Sequence, residues 1–419
     1  MSDFKRIYEI AKVRRGASPR PIDDQKWFGG YVGWVRIVDV TRSKRYLRST
    51  EQYLSPLGET KSVRVDKGDV IMSICATIGR PVIVDMPACI HDGFVQFYDI
   101  KSTNTEYLYY ALQHAEQEFI NYGQTGTQAN LNTTIVGKHT LFVPPLPEQR
   151  KIARILTTVD NLIEKTEALI AKYQAIKQGM MHDLFTRGVD ARDHLRPTCE
   201  EAPELYKESE LGWIPKEWKT TRLDEVATVN RGKFTARPRN DPKYYGGLYP
   251  FIQTSDVTNS NGLYLETYNQ TLNDIGKTVS KKFSKGTILV TIAANIADTA
   301  ILGIPMYLPD SVVGVDVHHG NFVRFVELAI KRNKYSLDAL ATQSAQKNIN
   351  LEDLRPLVIP FPNNSEQELI SVIYESIESR IINEKKYLRK LHITKTGLMQ
   401  DLLTGKVRVK IEKSGEAAA

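Results

Sequence analysis

The run Lys67-Gly68-Asp69-Val70-Ile71-Met72-Ser73-Ile74 returns as Lys285-Gly286-Thr287-Ile288-Leu289-Val290-Thr291-Ile292, so the chain carries one unit twice. The shift is 218 residues. It holds without a gap for Gln128-Ala129-Asn130-Leu131-Asn132 against Gln346-Lys347-Asn348-Ile349-Asn350, and for Glu148-Gln149 against Glu366-Gln367. Met181-His182-Asp183-Leu184-Phe185-Thr186 likewise answers to Met399-Gln400-Asp401-Leu402-Leu403-Thr404. Before Lys67 the register slips, and Ala11, Arg15 and Gly16 pair with Ala227, Arg231 and Gly232 at a shift of 216. Units near half the chain in length are a duplication, not a solenoid of repeats of roughly 20–50 residues. Two similar but non-identical heads imply two similar but non-identical targets.

Length and composition fit soluble globular domains, with 419 residues, 41% hydrophobic and 25% charged. The net charge of +7 and a pI near 9.0 favour a polyanionic partner. Cys75, Cys89 and Cys199 are too few and too scattered for a disulfide framework or a zinc knuckle, and they suit a reducing cytosol. The start of the sequence has no apolar signal core, and the most membrane-like stretch, 287–304, carries Asn295 and Asp298 in its middle. The expected location is cytoplasmic.

Each unit divides into a mixed segment and a helix. In the first, β-like runs at 33–40, 69–74, 81–84 and 93–97 are separated by Gly, Pro and Asp turn signals. A helix is predicted over 105–122, followed by a polar loop. An extended, proline-stiffened connector, Leu141-Phe142-Val143-Pro144-Pro145-Leu146-Pro147, closes the segment.

After the connector the period changes. Ile152, Ile155, Val159, Leu162, Thr166, Leu169, Tyr173, Ile176 and Met180 alternate spacings of three and four, a heptad seam. The second unit repeats the plan with Ile370, Ile373, Ile377, Ile381, Leu388, Leu391, Leu398 and Leu402. Such a seam needs a partner, which is either its own globular head or the other helix. The matched lengths favour the two helices pairing with each other. Both orientations are topologically open, and the antiparallel one would relate the heads by a pseudo-two-fold axis, as the strands of duplex DNA are related.

Catalytic signatures are missing. There is no phosphate loop, no dinucleotide fingerprint, no nucleophile elbow, no His-Glu-x-x-His and no Asn/Asp-Pro-Pro-Tyr/Phe. His318-His319 lacks ligands at helical spacing, so no metal is expected. Asp92 and Asp310 recur in register but fit turn or cap residues.

Cations and aromatics are more informative. The first head offers Arg15, Arg20, Arg36, Arg42, Lys44, Arg45 and Arg48, interleaved with Tyr46, Tyr53 and Trp27-Phe28. The second offers Arg231, Lys233, Arg237, Arg239, Lys243, Tyr244, Lys281 and Lys282. Lys and Arg neutralise phosphates, while Arg, Gln and Asn also read base edges. Gln124, Thr127 and Gln128, matched by Gln343, Gln346 and Lys347, belong to amide-rich loops that either read bases or cap the next element.

The connector Val143-Pro144-Pro145-Leu146-Pro147-Glu148-Gln149-Arg150-Lys151-Ile152-Ala153, the heptad helix ending Asp183-Leu184-Phe185-Thr186 and the head-to-tail duplication together resemble the specificity subunit of type I restriction–modification systems. The resemblance covers nearly the whole chain. The second copy departs from it at Phe361-Pro362-Asn363-Asn364-Ser365, which lacks the tight proline run, and at Glu368 in place of Arg150.

The resemblance implies an α+β chain in which two similar globular target-recognition domains are separated by two long, antiparallel, paired helices. The expected segments are recognition domain 1–146, helix 147–187, linker 188–213, recognition domain 214–362, helix 363–404 and C-terminal tail 405–419. It implies double-stranded DNA and two methylation subunits as partners, with restriction subunits where the system cleaves, and no membrane. It places no cofactor in this chain, putting S-adenosylmethionine in the methylation subunit, and ATP and Mg in a restriction subunit. The rival readings are a stand-alone DNA methyltransferase or nuclease, and a coiled-coil scaffold.

Overall fold

The computed structural model describes residues 3–124, 131–260, 264–342 and 348–411. These form two compact units, one of Met1–Glu167 with Tyr387–Ala419, the other Ala168–Lys386.

The first unit contains a five-stranded sheet in the order Lys12–Arg15, Phe94–Tyr98, Val70–Ser73, Pro81–Val84, Tyr46–Leu47. Only the last pair is parallel. A four-stranded sheet runs Gln52–Leu54, Phe28–Val35, Ala88–Ile90, Val63–Val65. The second unit repeats both. Its five strands are Ala227–Arg231, Val312–Val317, Ile288–Thr291, Thr299–Leu302 and Tyr264–Leu265, and its four are Gln270–Leu272, Tyr245–Phe251, Met306–Leu308 and Lys281–Phe283.

The continuous hydrophobicity of the repeated run follows from this layering. Side chains of a strand alternate between faces. Val70, Met72 and Ile74 enter a core with helix Thr105–His114, while Ile71 enters a second core with Val35, Val65, Ala88 and Ile90. In the other unit Ile288, Val290 and Ile292 face the helical core and Leu289 the sheet core. A strand covered on both faces has no polar side to show.

Three local readings change. The 33–40 run is not one strand, because it ends at Val35 and Ile37–Arg42 is helical. The turn between them is fixed by Asp39, whose carboxylate accepts from the Arg36 amide at 2.8 Å and the Glu51 amide at 3.0 Å. The 105–122 helix breaks at Ala115 into Thr105–His114 and Glu116–Gln124. The 188–213 linker is packed structure: Val189, Arg196, Ala202 and Tyr206 are buried, and Tyr206–Ser209 pairs with Gly212–Pro215.

The long helices span Leu146–Thr186 and Asn364–Leu402. They run antiparallel within each unit. In the first, Val159 and Ile163 pack with Leu391, and Asp160 meets Lys395 at 2.8 Å. In the second, Leu184 and Phe185 share a core with Ile370 and Tyr374, and Lys177 pairs with Glu378.

One row of the seam stands where expected, at Ile152, Val159 and Thr166, and the other is shifted by one residue. Ile152, Ala153, Leu156, Val159, Ile163, Thr166 and Ile170 are buried, whereas the expected Leu162 and Ile176 are 38% and 39% exposed, and Ile155, Leu169 and Tyr173 are half-buried. Ile152 and Ile370 serve the head cores. The second helix buries Ile370, Ile377, Ile381 and Leu391, with Ile373 and Leu388 half-buried.

Candidate nucleic-acid interface

The Glu-Gln pair after each connector locks a long helix at both ends of its own junction. Gln149 accepts from the Asn104 amide at 2.8 Å and donates to the Pro144 and Ser102 carbonyls, at 2.7 and 3.1 Å. Gln367 likewise accepts from the Phe322 amide and donates to the Pro362 carbonyl. Glu148 and Glu366 are buried carboxylates that grip chain far away in sequence, Arg408 and Arg196 respectively. The strongest family signature in the sequence is therefore a structural fastening rather than a DNA contact.

Asp92 and Asp310 act as cation organisers. Ser18 donates to Asp92 at 2.7 Å and Arg20 at 3.1 Å, and Arg15 Nε donates to the Asp92 carbonyl at 2.6 Å. Burial would raise the Asp92 carboxyl, but the Ser18 hydroxyl and the Arg20 guanidinium hold it below its usual value. Asp310 pairs with Arg239 and, at 3.6 Å, with Arg237, while Arg231 Nε donates to its carbonyl at 2.6 Å. Each head thus fixes a small group of exposed arginines around the carboxylate and backbone carbonyl of one aspartate, next to a cis Arg-Pro bond (Arg20-Pro21 and Arg237-Pro238).

The remaining candidates divide. Arg42 pairs with Glu51, Lys44 with Glu167 at 2.5 Å, Arg48 with Asp85 at 3.1 Å and Lys243 with Asp241 at 3.0 Å, all exposed cations. Arg36, Lys233, Lys281 and Lys282 are exposed and, among the described residues, have no carboxylate within ion-pair distance. Tyr244 is half-buried against Phe234.

Arg45 is a correction. It is buried, donates to Tyr110 at 2.9 Å and Thr157 at 2.8 Å, and ties its head to the first long helix. A buried guanidinium offers no phosphate contact. Gln124 ends a helix, and nothing further is described of its side chain; Thr127, Gln128, Gln343, Gln346 and Lys347 lie outside the described residues. His318 Nε2 lies 3.2 Å from the Thr228 hydroxyl, and among the described residues no three His, Cys, Asp or Glu side chains are grouped to hold a metal. No described helix is long and apolar enough to cross a membrane.

The family model described as the type I restriction modification DNA specificity domain matches the chain twice, over residues 1–174 and 215–392. The chain belongs to that family. As a member it is a DNA-specificity component and not a catalytic one. It is 28% identical over 310 residues to the putative type I restriction enzyme MjaX specificity subunit of Methanocaldococcus jannaschii, covering 73% of this chain and 68% of that one. The MjaVIII specificity subunit of the same organism is 25% identical, with 97% and 92% covered. The fold is similar to that of the type I system S subunit from M. genitalium, with a TM-score of 0.59, 13% identity, and 96% and 95% of the chains covered.

Sequence reasoning missed Asp92 and Asp310 as organisers, although their recurrence in register was the available signal. It also missed the partners of Glu148 and Glu366, which carry no local signal.

Proposed function

We propose that each head binds one half of a bipartite double-stranded DNA site, and that methylation subunits docked on the long helices methylate adenine at N6 there. The observation that carries this is the double family match, one per head, on two units of the same sheet order. The heads share their buried frame but differ in their exposed cations, as two readers of different sequences would. S-adenosylmethionine belongs to the methylation subunits, two of which suit a duplicated chain, and ATP with Mg to restriction subunits where the system cleaves. The long helices, of 41 and 39 residues, serve as the spacer that sets the unread gap.

The test is to map methylated adenines in DNA from cells carrying this chain and its methylation partner. A bipartite motif with a fixed gap is expected. Exchanging residues 1–140 for those of another family member should change one half-site only. Purified chain alone should methylate nothing, and binding by the assembled complex should weaken steeply with salt, because bound cations release counterions from the phosphates. Methylation by the chain alone, or binding indifferent to salt, would overturn this reading.

A further inference from the structure

The two most exposed large apolar side chains among the described residues are Tyr31, at 98%, and Leu248, at 90%. They occupy the same position in the two heads. Asp24-Gln25-Lys26-Trp27-Phe28-Gly29-Gly30-Tyr31 aligns with Asp241-Pro242-Lys243-Tyr244-Tyr245-Gly246-Gly247-Leu248 at a shift of 217, inside the stretch where the duplication slips register.

The structure builds both tips in the same way. Asp24 and Asp241 cap single 3-10 turns by accepting from the Lys26 and Lys243 amides, each at 3.1 Å. The lysines lie over the following aromatic rings, Lys26 4.5 Å from the Trp27 centroid and Lys243 5.0 Å from that of Tyr244. The strand that follows then throws out three residues: Phe28 and Val32 both face Leu54, and Tyr245 and Tyr249 both face Leu272. Gly29 and Gly246 take φ of +90° and +82°. A Cβ on Gly30 would come within 2.0 Å of the Leu54 carbonyl, and one on Gly247 within 2.4 Å of the Asn273 Cα. The first glycine of each pair is thus required by its left-handed backbone and the second by close approach to the neighbouring chain, and the third extruded residue is carried outward on an anchored bulge.

Single exposed apolar side chains are common on protein surfaces, but here the same anchored three-residue bulge holds one outward at the same place in both heads. The repeated geometry with a changed tip residue fits a reader more than a core element. We infer that Tyr31 and Leu248 enter a groove of the duplex and make apolar contact with bases of their own half-site. Apolar side chains contact thymine methyl groups in the major groove or wedge between base steps in the minor groove. The occupant is double-stranded DNA, because each tip adjoins the arginine group of its head, Trp27 donating to the Pro21 carbonyl beside Arg20 at 2.9 Å and Tyr245 to the Arg239 carbonyl, and because the chain is basic, with a net charge of +7. The inference rests on the DNA-reading function proposed above.

The test uses the complex of this chain with its methylation subunits and a duplex bearing the site mapped from its methylated adenines. Tyr31→Ala and Leu248→Ala should each weaken binding to that duplex about tenfold, the scale of one lost base contact. Binding to a random duplex should change less than about twofold, since phosphate contacts carry it. Each variant should relax base preference in one half-site only, and the two half-sites should differ. Equal losses on cognate and random duplex, no loss at all, or loss of complex assembly with DNA affinity otherwise intact would overturn the inference, the last by making the tips protein contacts. If the unaltered complex prefers no duplex sequence, the DNA-reading function fails, and this inference goes with it. Thermal melting of both variants should match the parent, as neither tip is packed.

Discussion

The carboxylate of Glu148, at the start of the first long helix, receives the guanidinium of Arg408, from beyond the end of the second, at 2.9 and 2.7 Å. The Val409 amide adds a third hydrogen bond at 3.1 Å. In the other unit Glu366 receives Arg196 at 2.5 and 3.2 Å, the Val189 amide at 2.8 Å and the Trp218 indole at 3.0 Å. Each long helix is therefore fastened at its beginning to the chain that leaves the other helix. The exchange is reciprocal, as expected of a duplicated chain with antiparallel helices.

The two fastenings should differ in strength. Glu366 and Arg196 are both largely buried, so Glu366→Ala strands the Trp218 indole N–H and leaves Arg196 only the exposed Glu217 carboxylate and the Arg187 carbonyl, each at 3.1 Å. That should cost about 3 kcal/mol in denaturant unfolding, as for other broken buried pairs. Glu148→Ala should cost less, because Arg408 is half exposed and regains water. The reverse order would show that burial does not govern these pairs.

The Glu148 fastening should also be acid-labile. Its hydrogen bonds from Arg408, more than those from Val409, hold the Glu148 carboxyl below its usual value, against the opposing effect of burial. A depressed carboxyl adds stability that is complete above the unfolded-state value, about pH 4.3, and disappears as pH falls through the folded value. Stability followed from pH 7 to pH 3 should therefore drop less steeply in Glu148→Gln than in the parent. Parallel profiles would remove this explanation.

The shifted row of the seam gives a sharper contrast between neighbours. Ile163→Ala should cost about 2–4 kcal/mol, as a buried aliphatic truncation does, whereas Leu162→Ala should stay within about 0.5 kcal/mol. Ile170 and Leu169 should show the same direction with a smaller gap, because Leu169 is half-buried. Equal effects at 162 and 163 would restore the register expected from the heptad alone.

That register illustrates what a sequence displays and what it conceals. The frame was plain, because a strand covered on both faces must be apolar throughout, and the duplication doubled the signal at Val70 and Ile288. The seam was ambiguous because Ile155-Leu156, Leu162-Ile163 and Leu169-Ile170 are apolar doublets. Either member continues a three-four spacing, and only the packed structure selects the second, burying Leu156 in the first head's core and Ile163 against Leu391 of the other helix. Arg45 looked like its neighbours Arg42 and Arg48, since burial against Tyr110 and Thr157 depends on contacts 65 and 112 residues away. Glu148 and Glu366 were visible as a repeat, but their arginines lie in segments that read as tail and linker.

Arg45 and Lys282 should part company in DNA binding. Lys281 and Lys282 are exposed on one strand without carboxylate partners among the described residues, so they are available to phosphates. Replacing both with Ala should weaken binding to every duplex alike and reduce the slope of log affinity against log salt by about 1–2, one unit per lost phosphate contact. Arg45→Ala should leave that slope unchanged while lowering the melting temperature, because it removes a fastening between head and helix. A salt slope that falls for Arg45→Ala and not for the lysine pair would show that the cations facing DNA are not the ones left unpaired at the surface.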